Sequence, residues 1–375
     1  MHSRYDIIIG QHRVKELLRT AVRHHRLAHA YLFWGNEGVG KDAAAIAFAK
    51  TLLCERQEEE FCGECSSCRK MDLLQHPNVS LVIPLPGGDA EKSEDEGKLE
   101  NDVMEEVRRQ ISQKAADPYF HIAIPKARFI RIPTIRSIKK ESSLSNAESG
   151  KKIILIFDAD AMNDAAANSL LKILEEPLDG VHFILTTSRK DQLKPTIISR
   201  CQLLQFSSLH DEEISAALIE RERVSETDAH FIARLANGNY RQALQMLHDG
   251  VTNYRTDAVK FLRSLLGNSA IKLLDEQEEY IFTNKREEVE ELLLMLLVWF
   301  RDAFVMNEQS AELMLNIDQQ SDLSSFVSKF GHQRIEECLD AVEKALELLR
   351  RNVYLPLVMI SLTVHLRRIL NAKKV

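Results

Sequence analysis

The sequence predicts an α/β domain followed by an all-α region. Three observations lead there. Apolar runs alternate with helix-period segments up to about residue 207, a glycine loop joins one such run to a helix, and residues 255–375 contain no convincing strand. A chain of 375 residues is expected to form two or three domains, drawn here at 1–207, 208–250 and 251–375.

The run Ala30-Tyr31-Leu32-Phe33-Trp34 reads as a buried strand. The segment from Asp42 to Leu53 reads as an Ala-rich helix, with Ile46, Phe48, Ala49, Leu52 and Leu53 on or near one face. Between them lies Gly35-Asn36-Glu37-Gly38-Val39-Gly40-Lys41-Asp42, a phosphate-binding loop in all but its last position. Gly35, Gly38 and Gly40 permit tight turns that aim backbone N–H groups at phosphates, and Lys41 stands where β- and γ-phosphates are contacted.

The position after the lysine calls for a hydroxyl that holds Mg²⁺, and Asp42 occupies it. A carboxylate at a helix N-terminus is favourable by itself. It also takes the field that a phosphate would use and repels a polyphosphate, while keeping the capacity to ligate Mg²⁺. Binding of ATP and Mg²⁺ is therefore expected to be weakened or conditional.

The run Ile153-Ile154-Leu155-Ile156-Phe157 predicts a second buried strand with Asp158 at its C-terminal tip. There a carboxylate is placed to hold Mg²⁺, directly or through water; the alternative is a turn or helix-start aspartate. A hydrolase of this type carries Glu next, to polarise water, and this chain has Ala159. If the strand persists, Asp160 falls on the opposite side from Ala159 and is no substitute. Two changes strike one chemistry, and loss of hydrolysis is the simpler account.

Four of the six cysteines, Cys54, Cys62, Cys65 and Cys68, follow the spacing Cys-x7-Cys-x2-Cys-x2-Cys. Four thiolates so spaced suit structural, tetrahedral Zn²⁺, with an iron–sulfur cluster as the other reading. No secretory signal opens the chain, so a reducing, cytoplasmic setting is expected and disulfides are disfavoured. Cys201 and Cys338 are expected to be ordinary buried thiols.

Phe183–Thr187 and Gln202–Phe206 predict two more strands, with Arg200 just ahead of the latter. In a ring ATPase such an arginine can reach the γ-phosphate of the neighbouring subunit, with an effect of roughly 10³–10⁵-fold on rate. Most arginines are simply solvated, so position alone does not assign the role.

Residues 84–128 read as an insertion. It opens with Pro84-Leu85-Pro86-Gly87-Gly88, turns acidic from Asp89 to Glu106, and holds one amphipathic helix around Asn101–Lys114. Residues 126–152 are basic, with Lys126, Arg128, Arg131, Arg136, Lys139 and Lys140. These either face DNA phosphates or balance the acidic block, and the second is favoured. Residues 208–250 predict three short helices, and helical periodicity recurs at Leu292–Val305, Ile335–Leu349 and Leu355–Leu370. The net charge of −7 argues against a strong, uniform DNA-binding surface, and no run of 18 apolar residues suggests a membrane span.

Several segments together carry a resemblance. They are Ile9-Gly10-Gln11, Leu27–Phe33, the cysteine knuckle at 54–68, Asn168–Pro177 and Ser199-Arg200-Cys201. Over residues 5–83 and 130–250 the chain resembles bacterial clamp-loader subunits of the AAA+ class. The motor branch (tau/gamma) carries Thr after the loop lysine and Asp-Glu on the second strand. With Asp42 and Ala159, this chain is more similar to the delta-prime branch, which does not hydrolyse ATP.

The resemblance implies an AAA+ P-loop domain with a zinc knuckle, a small helical lid and a C-terminal helical collar. It implies that Arg200 acts in trans on the ATP of an adjacent motor subunit. Arg241 matches the family's nucleotide-sensing lid arginine and, beside a degenerate site, is expected to pack or form a salt bridge. Implied partners are motor and delta subunits in a hetero-pentamer and, through it, the sliding clamp, primed DNA and the replicative polymerase holoenzyme. Two alternatives are an active DNA-stimulated ATPase of tau/gamma type and a zinc-bearing DNA-repair module. Ala159 weighs against the first, and the lack of a basic helix or high pI against the second.

Overall fold

A computed structural model describes residues 4–86, 101–130, 133–136, 150–177, 179–266, 286–307, 313–351 and 353–371. The acidic stretch 89–100 and the basic residues Arg131, Lys139 and Lys140 lie outside the described residues. The chain divides into two compact units, one of residues 1–217 with 237–242 and the other of 218–236 with 243–375.

The first unit is an α/β layer structure. Its strands are β1 (Ala30–Gly35), β2 (Val79–Val82), β3 (Leu85–Pro86), β4 (Ala127–Phe129), β5 (Lys152–Ile156), β6 (Val181–Thr187) and β7 (Gln202–Phe206). Its helices begin with α1 (His12–Arg23), α2 (Lys41–Leu53), α3 (Ser66–Asp72), α4 (Asn101–Ala116), α5 (Asp164–Glu175) and the single turn α6 (Pro195–Ile198). Five strands form one sheet in the order β2-β5-β6-β1-β7, with every pairing parallel. Strands β3 and β4 pair antiparallel as a separate ribbon.

Alternation along the strands explains why the apolar runs are unbroken. Tyr31, Phe33, Ile153, Leu155 and Ile184 pack on one face with Ala45, Phe48 and Ala49 of α2. Ala30, Leu32, Ile154, Ile156 and Leu185 pack on the other with Ala166, Leu170 and Leu174 of α5. Strands β1, β5 and β6 therefore each need side chains for two cores, as a covered parallel sheet requires.

Strand β5 ends sooner than its apolar run suggests. Asp158 adopts φ 50°, and Ala159–Ala161 form a 3₁₀ turn. The strand does not persist to Asp160, so strand alternation does not place that residue. Its Oδ1 instead accepts from Thr187 Oγ1 at 2.6 Å.

Helix α4 starts at Asn101 as expected and runs to Ala116. Val103, Val107 and Ile111 pack against the core that α2 shares with the sheet. The three helices expected between 208 and 250 are α7 (Asp211–Glu222), α8 (Glu226–Ala236) and α9 (Tyr240–His248).

The rest of the second unit is helical. It contains α10 (Val251–Leu265), α11 (Arg286–Asn307), α12 (Gln320–Phe330), α13 (His332–Arg350) and α14 (Leu355–Asn371), with no strand among its described residues. Helix α11 packs against α10, α12 and α13. Trp299 meets Phe326 edge-on at 4.7 Å in this core. Asp302, fully buried, accepts from the backbone N–H groups of Leu315 and Asn316 and thereby fixes the approach to α12. Among the described residues no helix is long and apolar enough to cross a membrane.

Candidate functional site

The glycine loop lies between β1 and α2, at the C-terminal edge of the sheet, where ligands of open α/β sheets bind. Gly38 and Gly40 hold φ of 67° and 93°, conformations that an L side chain resists. Close packing adds a second reason for glycine. A Cβ on Gly38 would come within 1.6 Å of Asn239 Oδ1, and one on Gly40 within 2.7 Å of the Tyr119 hydroxyl. The loop is thus pressed by the 237–242 segment and by the insertion.

Lys41 folds back on its own loop. Its ammonium donates to Gly35 O at 2.9 Å, Asn36 O at 2.5 Å and Ser188 Oγ at 3.1 Å. A lysine has three N–H donors, so all of them have protein acceptors here. Burial holds its pKa below the ordinary lysine value, against the pull of Asp42 and Asp158.

Asp42 is satisfied by protein too. Its Oδ1 accepts from Thr186 Oγ1 at 2.8 Å, and its Oδ2 from the Lys114 ammonium at 2.9 Å. Burial, the largest single influence, would raise its pKa, but Lys114, Thr186 and Lys41 together hold it below the ordinary carboxylate value. Lys114 comes from α4, is 1% exposed, and also donates to Phe120 O at 2.6 Å.

Asp158 does border the loop, with His121 Nδ1 3.9 Å from its Oδ2. Its side chain makes no capping hydrogen bond to the turn that follows. Burial, then the charges of Asp42 and Asp160, push its pKa up to about 7. Ala159 is fully buried among Ile130, Ile135 and Leu170, facing core and not the loop. Arg241 forms an ion pair with Glu37 of the loop, as one of the two expected outcomes for it.

The space left between these groups is a cavity of about 40 Å³, bordered by Gly38, Lys41, Asp42, Lys114, Tyr119 and Asp158. That volume suits a few waters, whereas small-molecule sites span roughly 300–1,000 Å³. The donor set and the volume do not fit ATP with Mg²⁺ in this arrangement.

The cysteine motif forms a second centre. The sulfur atoms of Cys54, Cys62, Cys65 and Cys68 all lie within 4.8 Å of one another, which suits a single tetrahedral ion. Backbone N–H groups point at these sulfurs: Cys62 N at Cys54 Sγ (3.2 Å), Cys65 N at Cys62 Sγ (3.3 Å) and Cys68 N at Cys65 Sγ (3.4 Å). Such donors favour thiolates. The backbone N–H of Glu64 is the main influence that lowers the Cys62 pKa to about 6, while burial raises those of Cys54 and Cys68. The cluster could hold a metal ion. Of the other two thiols, Cys338 is buried and Cys201 half-buried.

Arg200 lies at the surface, just before β7. Its guanidinium donates to Thr196 O at 3.0 Å and to Glu175 Oε1 at 2.8 Å.

The structure thus brings Gly35, Gly38, Gly40, Lys41, Asp42, Asp158 and Arg241 together, with the four cysteines and Arg200 elsewhere on the same unit. Sequence reading missed Lys114, Tyr119 and His121, which the insertion supplies, and Ser188 beside Lys41. One signal was available: Gln110 and Lys114 fall on the same helical stripe as Val103 and Val107, a core-facing position for two polar side chains.

Comparison with known proteins finds relatives among DNA polymerase III subunits. Residues 10–210 match the family described as "DNA polymerase III, delta subunit". A DNA polymerase III subunit delta' of Bacillus subtilis (strain 168) is 29% identical over 345 residues, covering 92% of each chain. A subunit delta' of Pseudomonas aeruginosa is 30% identical over 64% of this chain and 62% of its own. The DNA polymerase III subunit tau of Bacillus subtilis is 27% identical over 72% of this chain and 42% of its own length.

Proposed function

The chain belongs to the DNA polymerase III delta-subunit family, and on that premise we propose that it is a non-hydrolysing, delta-prime-type subunit of a clamp loader. Its role is to complete the ring and to donate Arg200 to the ATP site of an adjacent motor subunit. The complex then loads a sliding clamp onto primed DNA.

One contrast carries this reading. The chain's own P-loop spends its charges internally, through Lys41 on backbone carbonyls and Asp42 on Lys114, while Arg200 stands at the surface on a solvent-exposed partner. A guanidinium so placed suits the developing charge of a phosphoryl group brought by another subunit. Ala159, turned into the core, supports the lack of hydrolysis in this chain.

The remaining assignments belong to the same proposal. The four thiols hold structural Zn²⁺, residues 208–250 serve as the lid, and residues 251–375 form the oligomerisation collar. On α14, Leu357 and Val364 are 61% and 63% exposed, with Tyr354 just ahead of the helix at 71%. That apolar stripe suits a collar that packs on the collars of motor and delta subunits in a pentameric assembly.

The test is reconstitution of the chain with its organism's motor and delta proteins. The unaltered chain and Arg200→Ala should both assemble, and only the first should support full ATP turnover. Steady ATP turnover by the isolated chain, abolished in Lys41→Ala, would refute the reading.

A further inference from the structure

The misfit between this P-loop and a nucleotide has a specific cause in the insertion. We propose that Lys114 is the resident cation of the site: it is the charge partner that Asp42 exists to meet, and with Tyr119 it closes the loop against Mg²⁺-bound nucleotides. This concerns the chain's own site and is independent of what Arg200 does elsewhere.

Lys114 sits on the core-facing stripe of α4 and is 1% exposed. An ammonium buried that deeply is costly unless paired and hydrogen-bonded. Asp42 Oδ2 at 2.9 Å supplies the opposite charge, Phe120 O at 2.6 Å accepts a second bond, and the ring of Phe157 lies 5.2 Å away. A threonine at position 42 would offer a hydroxyl and remove the carboxylate that is ion-paired and hydrogen-bonded to the ammonium. The departure from the P-loop pattern is thus explained by a residue 72 positions away.

The rest of the insertion is built to hold this arrangement. Gln110, also buried, donates to Ala123 O at 3.0 Å and accepts from Ala123 N at 2.7 Å. That two-point clamp pins the returning segment alongside α4 and fixes the Phe120 carbonyl where Lys114 needs it. Tyr119 accepts from the backbone N–H of Ile9 at 2.8 Å and meets Tyr240 edge-on at 4.9 Å, which sets its ring over Gly40. Lys41 keeps its three acceptors under this roof.

The experiment uses the full chain and Mg·ATP as probe, with binding read by calorimetry and folding by melting. Three variants are compared: Asp42→Thr, Lys114→Met and Asp42→Thr/Lys114→Met. The unaltered chain should show no binding at millimolar Mg·ATP. The double variant should bind at least about tenfold tighter than Asp42→Thr alone. Each single variant should melt below the double one, because each leaves one buried charge unpaired. Equal affinity of Asp42→Thr and the double variant, including no binding by either, would overturn the proposal, as would binding by the unaltered chain. Should the double variant fail to fold, hydrogen exchange of the unaltered chain decides: residues 101–124 should exchange identically with and without Mg·ATP, and any change in their protection would overturn it.

Discussion

Arg200 donates to Glu175 across 2.8 Å, joining the end of α5 to the turn before β7, with 34% and 51% of the two side chains exposed. An ion pair in that setting contributes about 0–1 kcal/mol. Glu175 therefore orients the guanidinium without committing it, and a stronger anion could draw it away.

Removing Arg200 should leave the fold intact. Arg200→Ala should change unfolding free energy by no more than about 1 kcal/mol in urea titration. A larger loss would mean that the arginine serves this chain's own stability.

The cysteine cluster should behave as a structural centre. Purified chain should carry one metal ion per molecule by elemental analysis. A chelator or Cys65→Ala should cost about 3 kcal/mol or more, a fall of roughly 6–12 °C in the melting of the first unit. Metal-free protein with an unchanged melting curve would contradict this.

Ala159 is not a simple vacancy for a catalytic glutamate. Its side chain packs against Ile130 and Leu170 with no exposure. Ala159→Glu should therefore give no ATP turnover and should destabilise the chain by roughly 2–4 kcal/mol in denaturant unfolding.

Asp158 should make stability fall as pH rises. Its folded pKa of about 7 lies above the ordinary 3.8, so the folded state holds a proton that the unfolded state releases earlier. The stability linked to it is complete below about pH 4 and is lost through pH 7, with a slope of up to about 1.4 kcal/mol per pH unit. Asp158→Asn should remove that slope from a plot of unfolding free energy between pH 5 and 8, with the difference from the unaltered chain widening as pH rises. Parallel curves would contradict it.

The elements that sequence reading recovered are those whose signal is local. The glycine spacing at 35–41 fixes strand, loop and helix because each glycine answers a backbone demand within a few residues. Strands β1, β5 and β6 stand out because each feeds two cores. The end of β5 was hidden because Phe157 continues the apolar run while the left-handed Asp158 turns the chain. Lys114 was hidden for a stronger reason. Its partner lies 72 residues away, and a lysine on an amphipathic helix normally reads as solvated. The same distance problem concealed which carboxylate would take Arg241, since Glu37 is 204 residues earlier.

Whether Arg200 acts in trans is decided by ATP turnover of the reconstituted loader in the presence of clamp and primed DNA, with and without Arg200→Ala. The complex should assemble at unchanged size while hydrolysis at one motor site slows by roughly 10³-fold or more, with no rescue by Arg200→Lys. Unchanged turnover at every motor site in an intact Arg200→Ala complex would contradict it.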